Sequence, residues 1–283
     1  MPNQRIEAGA TLASLQQLPG IDAVDRRLLI CEALGVTRVE LITQSGRLLN
    51  ADEADRLNAL FARRLAGEPI AYILGRREFY GLSFAVSADV LIPRPETELL
   101  VELALERLPP HGNALDMGTG SGAIAVALAH TRPDAAVSAI DVSEAALALA
   151  ARNAAANGAA VTFIHSDWYD AVRGRTFELI VSNPPYIAAG DVHLSTGDLR
   201  FEPVGALTDH ADGLSALRRI ISGAPAHLAA GGWLLMEHGY DQADQVRALL
   251  DAQGVFDQVQ SWRDLAGIPR VSGARLASLP ATP

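Results

Sequence analysis

Asp116-Met117-Gly118-Thr119-Gly120-Ser121-Gly122 is the stretch on which the fold turns. Ala114-Leu115 before it completes a short apolar strand, and residues 123–130 after it form an apolar helical run. A strand that enters a helix through three alternate glycines needs positive φ angles and room for a ligand against its backbone. The start of the helix offers free N–H groups to an anionic ligand group. Gly118-x-Gly120-x-x-Ala123 also satisfies the dinucleotide fingerprint. A bare glycine-rich turn can be purely structural; the strand before it and the helix after it favour ligand binding here.

Outward from that turn the chain alternates. Strands are expected at 114–117, 136–140, 161–164, 177–181, 232–236 and 256–259. Helices are expected at 99–108, 123–130, 144–157, within 212–228, and at 242–253, with Gly231-Gly232 as a turn before a strand. Such repetition builds an α/β fold with a largely parallel, doubly wound sheet. Upstream, Phe79-Tyr80-Gly81-Leu82-Ser83-Phe84-Ala85-Val86 has the aromatic, alternating content of a hairpin. Pro93 and Pro95 hold the next turn extended, because each fixes its own φ and biases the residue before it.

Residues 1–75 show no strand–helix alternation and read as a small all-helical domain. Val24, Leu28, Cys31 and the Ala33/Leu34 pair repeat at helical spacing before a Gly35 stop. Asn50 can cap a second helix, with Glu53 completing a capping-box-like pair. Leu57, Leu60, Phe61 and Leu65 then share a face, and Gly67 and Pro69 end it. The expected layout is thus a helical domain over 1–75, a β-hairpin linker over 76–92 and a sheet domain over 93–283. A frayed tail is expected over 278–283.

Composition removes several chemistries. The 283 residues carry 23 basic and 33 acidic side chains, for a net charge of −10. Every basic residue is Arg, so a Walker A lysine, a Schiff-base lysine and a pyridoxal-phosphate anchor are excluded. The single cysteine, Cys31, excludes a disulfide framework and cysteine-built metal centres. The seven histidines form no HExxH and no i,i+4 pair, so no metal is expected. No apolar run reaches the ~18 residues of a membrane span, and no charged-then-apolar leader stands at the N-terminus. A cytoplasmic setting without membrane or direct nucleic-acid contact is the expectation.

Asp141 closes the next strand, 25 residues after Asp116. A carboxylate there can accept from a ribose hydroxyl pair, or simply cap the following helix. At this point NAD and S-adenosylmethionine fit equally well. Ile180-Val181-Ser182-Asn183-Pro184-Pro185-Tyr186 breaks the tie. It lies at a strand end, on the edge where open α/β sheets bind ligands. The two prolines remove two N–H donors, the Asn183 side chain adds an acceptor, and Tyr186 supplies a ring to stack on a planar group. That suits methyl transfer to a nitrogen conjugated with a π-system, where orientation and fixed dipoles supply much of the rate.

Asn183-Pro184-Pro185-Tyr186 behind Asp-x-Gly-x-Gly-x-Gly resembles amino-methyltransferases acting on adenine, guanine or glutamine amide nitrogens. With Arg77-Glu78-Phe79-Tyr80, Leu91-Ile92-Pro93-Arg94-Pro95-Glu96-Thr97-Glu98, Ser166-Asp167-Trp168, Arg200-Phe201-Glu202-Pro203 and Glu237-His238-Gly239, the chain resembles the protein-(glutamine-N5) methyltransferase family over nearly its whole length. The resemblance implies a Rossmann-like class I methyltransferase sheet. It implies transfer of a methyl group from S-adenosyl-L-methionine, leaving S-adenosyl-L-homocysteine, to the Gly-Gly-Gln glutamine of class 1 peptide chain release factors. It further implies that Gly118, Thr119, Gly120, Ser121 and Gly122 line the methionine part of the cofactor, Asp141 its ribose, and Asp167 and Trp168 its adenine. Asn183 and the Pro184 carbonyl would grip the substrate amide, with Pro185 stiffening the corner and Tyr186 packed on it, while the helical domain helps hold the release factor. The alternatives are an amino-methyltransferase of adenine or guanine, a non-catalytic binding module and, more remotely, a dinucleotide oxidoreductase.

Other residues invite functional readings. The 93–98 segment could contribute acid chemistry or only fix the helix entry. Arg200 and Glu202 could form an internal ion pair or contact the substrate. Glu237 and His238 read as a satisfied core pair, and Arg63-Arg64 as a solvated face.

Overall fold

The computed structural model describes residues 5–278. The tail expected over 278–283 lies, beyond Ser278, outside them. The chain divides into two compact units, Met1–Gly75 and Arg76–Pro283. Among the described residues no helix is long and apolar enough to cross a membrane.

The first unit is helical. Its longest helix, Ala51–Leu65, starts as the sequence indicates: Asn50 Oδ1 accepts from the Glu53 N–H at 2.8 Å, and the Glu53 carboxylate accepts from the Asn50 N–H at 3.0 Å. Leu57 and Phe61 of this helix are buried, whereas Leu65 is exposed. The helix Ala23–Leu34 ends at Gly35 with φ of 64°. Its buried face matches the expected one only in part: Ala33 is buried and Cys31 and Leu34 pack against the core. Leu29, Ile30 and Ala33 are buried while Val24 is exposed. This helix is apolar on nearly every side towards its end, so two opposite stripes share helical spacing and spacing alone does not choose between them.

The second unit opens with a hairpin, β1 (Arg76–Phe79) and β2 (Leu82–Ala85), paired antiparallel. Tyr80 and Gly81 turn it with φ of 53° and 73°. Two positive φ values are what a two-residue turn needs to match the twist of its strands. Arg94 is extended, but Pro95–Thr97 coil into one 3-10 turn that feeds the helix Glu98–Arg107, so only the first part of the proline segment is straight.

The sheet has seven strands: β3 (Asn113–Met117), β4 (Ala136–Asp141), β5 (Val161–His165), β6 (Phe177–Ser182), β7 (Leu228–Glu237), β8 (Phe256–Arg263) and β9 (Pro269–Leu276). Their order is β5-β4-β3-β6-β7-β9-β8. The first five positions are parallel, and β9 is antiparallel to both its neighbours. Alternate residues feed two cores. Ala114, Val137, Ala139, Leu179 and Val181 pack with the helices Glu98–Arg107 and Ala123–Thr131. Leu115, Met117, Ile140, Ile180 and Leu234 pack with the helices Ser215–Gly223 and Ala243–Asp251.

Two strand readings change. β7 begins at Leu228, so Gly231-Gly232 lies inside the strand, where its register to β6 shifts between Phe177 and Leu179. A Cβ on Gly232 would sit 3.1 Å from both the Phe177 and Glu178 carbonyl oxygens, so the bulge needs glycine for close approach. β9 is not expected from sequence at all; Pro269, Arg270, Ser272 and Gly273 hide its apolar alternation.

Asn153, on the helix Glu144–Ala156, ties the hairpin to the glycine turn. Its Oδ1 accepts from the Ala85 N–H at 2.8 Å, and its Nδ2 donates to the Ala85 and Ser121 carbonyls at 3.0 and 2.8 Å. Asn153→Leu keeps the volume and strands the buried Ser121 carbonyl and the part-buried N–H and carbonyl of Ala85. It is expected to cost about 2–4 kcal/mol in urea unfolding; a change under about 0.5 kcal/mol would mean these bonds are not needed.

Candidate active site

The site is set by three neighbouring strand ends. Met117 of β3 lies beside Ile140 of β4 and Ser182 of β6. The N–H groups of Gly118 and Thr119 donate to the Ile140 carbonyl, at 2.9 and 3.0 Å, and the Ser182 hydroxyl donates to the Met117 carbonyl at 2.7 Å. The glycine turn, Asp141 and Asn183 therefore emerge side by side on the carboxyl edge of the sheet.

Gly118, Gly120 and Gly122 have φ of 71°, 54° and 83°. Their reasons differ. A Cβ on Gly118 or Gly120 would meet nothing within 4 Å, whereas one on Gly122 would lie 3.0 Å from Ala150 Cβ. The first two keep backbone open towards a cavity, and the third lets two helices pack. Asp141 holds the turn from the side: its Oδ2 accepts from the Gly120 N–H and its Oδ1 from the Ser143 N–H, both at 2.9 Å. Each oxygen keeps a second lone pair for a ligand.

These residues border a cavity of about 310 Å³. Residues 118–121, Asp141, Asp167, Trp168, Asn183 and Pro185 line it, together with Pro93, Arg94 and Thr97 from one flank and Pro203 and Ala206 from another. The volume falls in the ~300–1,000 Å³ range of small-molecule sites. Trp168 sits at φ of 49° in a turn closed by Ser166, whose hydroxyl donates to the Trp168 carbonyl at 2.7 Å and accepts from the Ala171 N–H at 3.0 Å. Asp167 is exposed and pairs with Arg219 at 3.1 Å. An open glycine backbone, a carboxylate with spare lone pairs and an aromatic side chain fit a ligand carrying an amino-acid end, a ribose and a flat base.

Gly122, Pro184 and Tyr186 do not line the cavity. Pro184 is buried, and Tyr186 packs against the core with its hydroxyl donating to Glu237 Oε1 at 3.2 Å. Gln242 Nε2 donates to the Tyr186 carbonyl at 3.0 Å and so anchors the corner from behind. Asn183 Nδ2 donates to Thr97 Oγ1 at 3.2 Å, which leaves Oδ1 as the end of the carboxamide outside that bond.

Several partners differ from expectation. Glu202 pairs with Arg94, not Arg200, and also accepts from the Ile92 N–H at 3.0 Å. The Arg200 guanidinium lies over the Phe201 ring instead. The pair joins two segments that flank the cavity, and sequence separation hid it. Glu237 and His238 are both buried but do not bond each other; His238 is held by the Gly239 carbonyl and Ser272. Arg63 and Arg64 are engaged in ion pairs with Glu68 and Asp25.

Two buried carboxyls stand out. Burial pushes Asp116 up to about 7, against hydrogen bonds from the Thr119 hydroxyl and the Ala125 N–H. Burial likewise pushes Glu237 up to about 7, against the Thr97 and Tyr186 hydroxyls.

Comparison with known proteins gives the family. Residues 95–201 match the model of the methyltransferase small domain, and residues 6–75 match that of the PrmC N-terminal domain. A release factor glutamine methyltransferase of Burkholderia pseudomallei is 55% identical over 276 residues, covering 94% of this chain and 96% of that protein. One from Neisseria gonorrhoeae is 53% identical over 260 residues, covering 91% and 94%. The chain belongs to the release factor glutamine methyltransferase family. A methyltransferase of Pyrococcus furiosus, 21% identical, shares the fold of this family member with a TM-score of 0.54, over 77% of this chain and 98% of that one. The methyltransferase fold and the donor set agree on S-adenosylmethionine as the cofactor.

The two raised carboxyls make stability depend on pH. Between about 4 and about 7 the folded chain keeps protons that the unfolded chain has lost, so their contribution falls as pH rises through that window and is constant above it. Asp116→Asn removes one such group. Its urea-unfolding free energy is expected to gain on the wild type by about 1–3 kcal/mol between pH 4 and 7; parallel curves would show that Asp116 is not held protonated.

Proposed function

We propose that this chain transfers the methyl group of S-adenosylmethionine to the side-chain amide nitrogen of the glutamine in the Gly-Gly-Gln motif of class 1 peptide chain release factors. The observation that carries the reading is that Asn183 and Pro185 open onto the same cavity as the glycine turn. An acceptor amide and a methyl donor can then meet at one place. The identity of 55% to a relative of that name supports the choice of a glutamine amide over a nucleobase.

S-adenosylmethionine supplies an electrophilic methyl group on a sulfonium centre. Backbone of residues 118–121 receives its amino-acid end, Asp141 its ribose hydroxyls, and Asp167 with Trp168 its base. Asn183 Oδ1 and a backbone carbonyl of the Asn183–Pro185 corner accept from the two hydrogens of the substrate amide. An amide nitrogen is a poor nucleophile because its lone pair is shared with the carbonyl. Two fixed acceptors orient the group and favour loss of planarity as the N–C bond forms. The same dipoles stabilise positive charge as it develops on nitrogen. No strong base is required: the methyl–sulfur bond would break as the N–C bond forms, leaving S-adenosylhomocysteine, and the methylated nitrogen, now acidic, would give one proton to water. The helical unit, Met1–Gly75, serves to hold the release factor.

The test is mass spectrometry of a release factor's Gly-Gly-Gln peptide after incubation with this protein and the cofactor. One added methyl on the glutamine is expected. Label appearing on DNA or RNA and not on the release factor would overturn the reading.

A second measurement isolates the corner. Asn183→Ala is expected to lower methyl transfer about 100-fold or more, with cofactor affinity by calorimetry changed less than about threefold. Unchanged turnover would mean the acceptor slot lies elsewhere.

A further inference from the structure

Asn183 can help a substrate amide only if its oxygen, not its NH2, faces that amide. Nothing in the Asn183 side chain itself makes that choice, because the two ends have the same shape. The choice comes from its neighbour. Thr97 is buried at the end of the 3-10 turn Pro95–Thr97, and its Oγ1 accepts from Asn183 Nδ2 at 3.2 Å. A hydroxyl has one proton to give. Having accepted from Asn183, Thr97 must direct that proton to another acceptor, and the Glu237 carboxylate at the end of β7 faces it. Glu237 is 1% exposed. Its Oε1 takes the Tyr186 hydroxyl, and its Oε2 has no hydrogen bond of standard geometry. The buried carboxylate is thus short of a donor, and Thr97, whose hydroxyl favours its ionised form, has a proton to place.

We propose that Thr97 and Glu237 are positioning residues that fix the polarity of the Asn183 carboxamide, Nδ2 inward and Oδ1 towards the acceptor amide, while Glu237 also pins the opposite side of the corner through Tyr186. The proposal rests on the functional reading above. Direction is set by charge: an ionised carboxylate only accepts, so Thr97 must donate to it and is left to accept from Asn183. A protonated Glu237 donates to Thr97, the Thr97 proton turns towards Asn183, and the carboxamide has reason to flip. Glu237 ionises near pH 7, with Glu96 raising and Arg270 lowering its affinity for a proton, and with Arg94 and Arg270 facing Tyr186. His238, next in the chain, is bonded to Gly239 and Ser272 and takes no part.

The experiment compares Thr97→Val, Thr97→Ser and Glu237→Gln with wild type, using the Gly-Gly-Gln peptide as acceptor and calorimetry for cofactor affinity. Thr97→Val keeps shape and removes the hydroxyl. It is expected to lower kcat 10- to 100-fold at unchanged cofactor affinity, and Thr97→Ser to return kcat to within threefold of wild type. Wild-type kcat is expected to rise with pH through a single ionisation near 7, and Glu237→Gln to lose that limb; this variant also carries the test if Thr97→Val fails to fold. A Thr97→Val kcat within twofold of wild type, a Thr97→Ser as impaired as Thr97→Val, or an acidic limb unchanged in Glu237→Gln would overturn the proposal. Absence of transfer by the wild type is a different failure, and it overturns the functional reading and this proposal together.

Discussion

The register of β3 between β4 and β6 is the constraint on which the site depends. Met117 is paired with Ile140 on one side and Ser182 on the other. That single row brings the glycine turn, Asp141 and the Asn183 corner to one edge. A strand repeats every two residues, so a slip of one would turn every side chain to the wrong core. Two devices hold the row beyond the ladder itself: the Ser182 hydroxyl on the Met117 carbonyl, and the paired N–H groups of Gly118 and Thr119 on the Ile140 carbonyl. Both act at the row where the strands stop, which is where ladder bonds run out and fraying would start.

Features fixed by local backbone chemistry were legible in the sequence. The Asn50/Glu53 cap, the Gly35 stop, the hairpin within 79–86 and the glycine turn each depend on residues a few positions apart. Features fixed by distant partners were not. The buried face of the helix Ala23–Leu34 depends on what packs against it, and β9 is a strand because β7 and β8 flank it. The same division runs through the site. Residues of the glycine turn and the Asn183 corner announce themselves by type and spacing. Thr97, Ser166 and Glu202 do not, because their roles are defined by bonds to groups brought near only by folding. Tyr186 shows the division within one residue. Its place in the motif suggested a stacking surface, but the fold turns its ring into the core and its hydroxyl to Glu237.

The second unit buries charge close to its cavity. Glu202 is enclosed with Arg94, Asp116 lies under the glycine turn, and Glu237 lies behind the Asn183 corner. Burying a carboxylate is costly unless donors surround it. Glu202 has both an arginine and a backbone N–H, whereas Asp116 and Glu237 each keep one oxygen without a partner. A core built for stability alone would carry apolar residues at such positions. The polar choice has a geometric return: each carboxyl is bonded to a residue that borders the cavity or continues from it, namely Thr119, Arg94 and Tyr186.

That arrangement bears on how a weak nucleophile can be handled without a base. If the chemistry needs only orientation and fixed acceptors, then precision at Asn183 matters more than proton transfer. Precision requires that neither end of the corner can rotate. One end is tied through Thr97, and the other through Tyr186, whose carbonyl is held by Gln242 and whose hydroxyl is held by Glu237. Pro184 and Pro185 remove backbone freedom between those ties. Rigidity is thus supplied by bonds on the side of the corner away from the substrate. The side of the corner that opens on the cavity is then left to Asn183 Oδ1, an acceptor that suits a group with hydrogens to give.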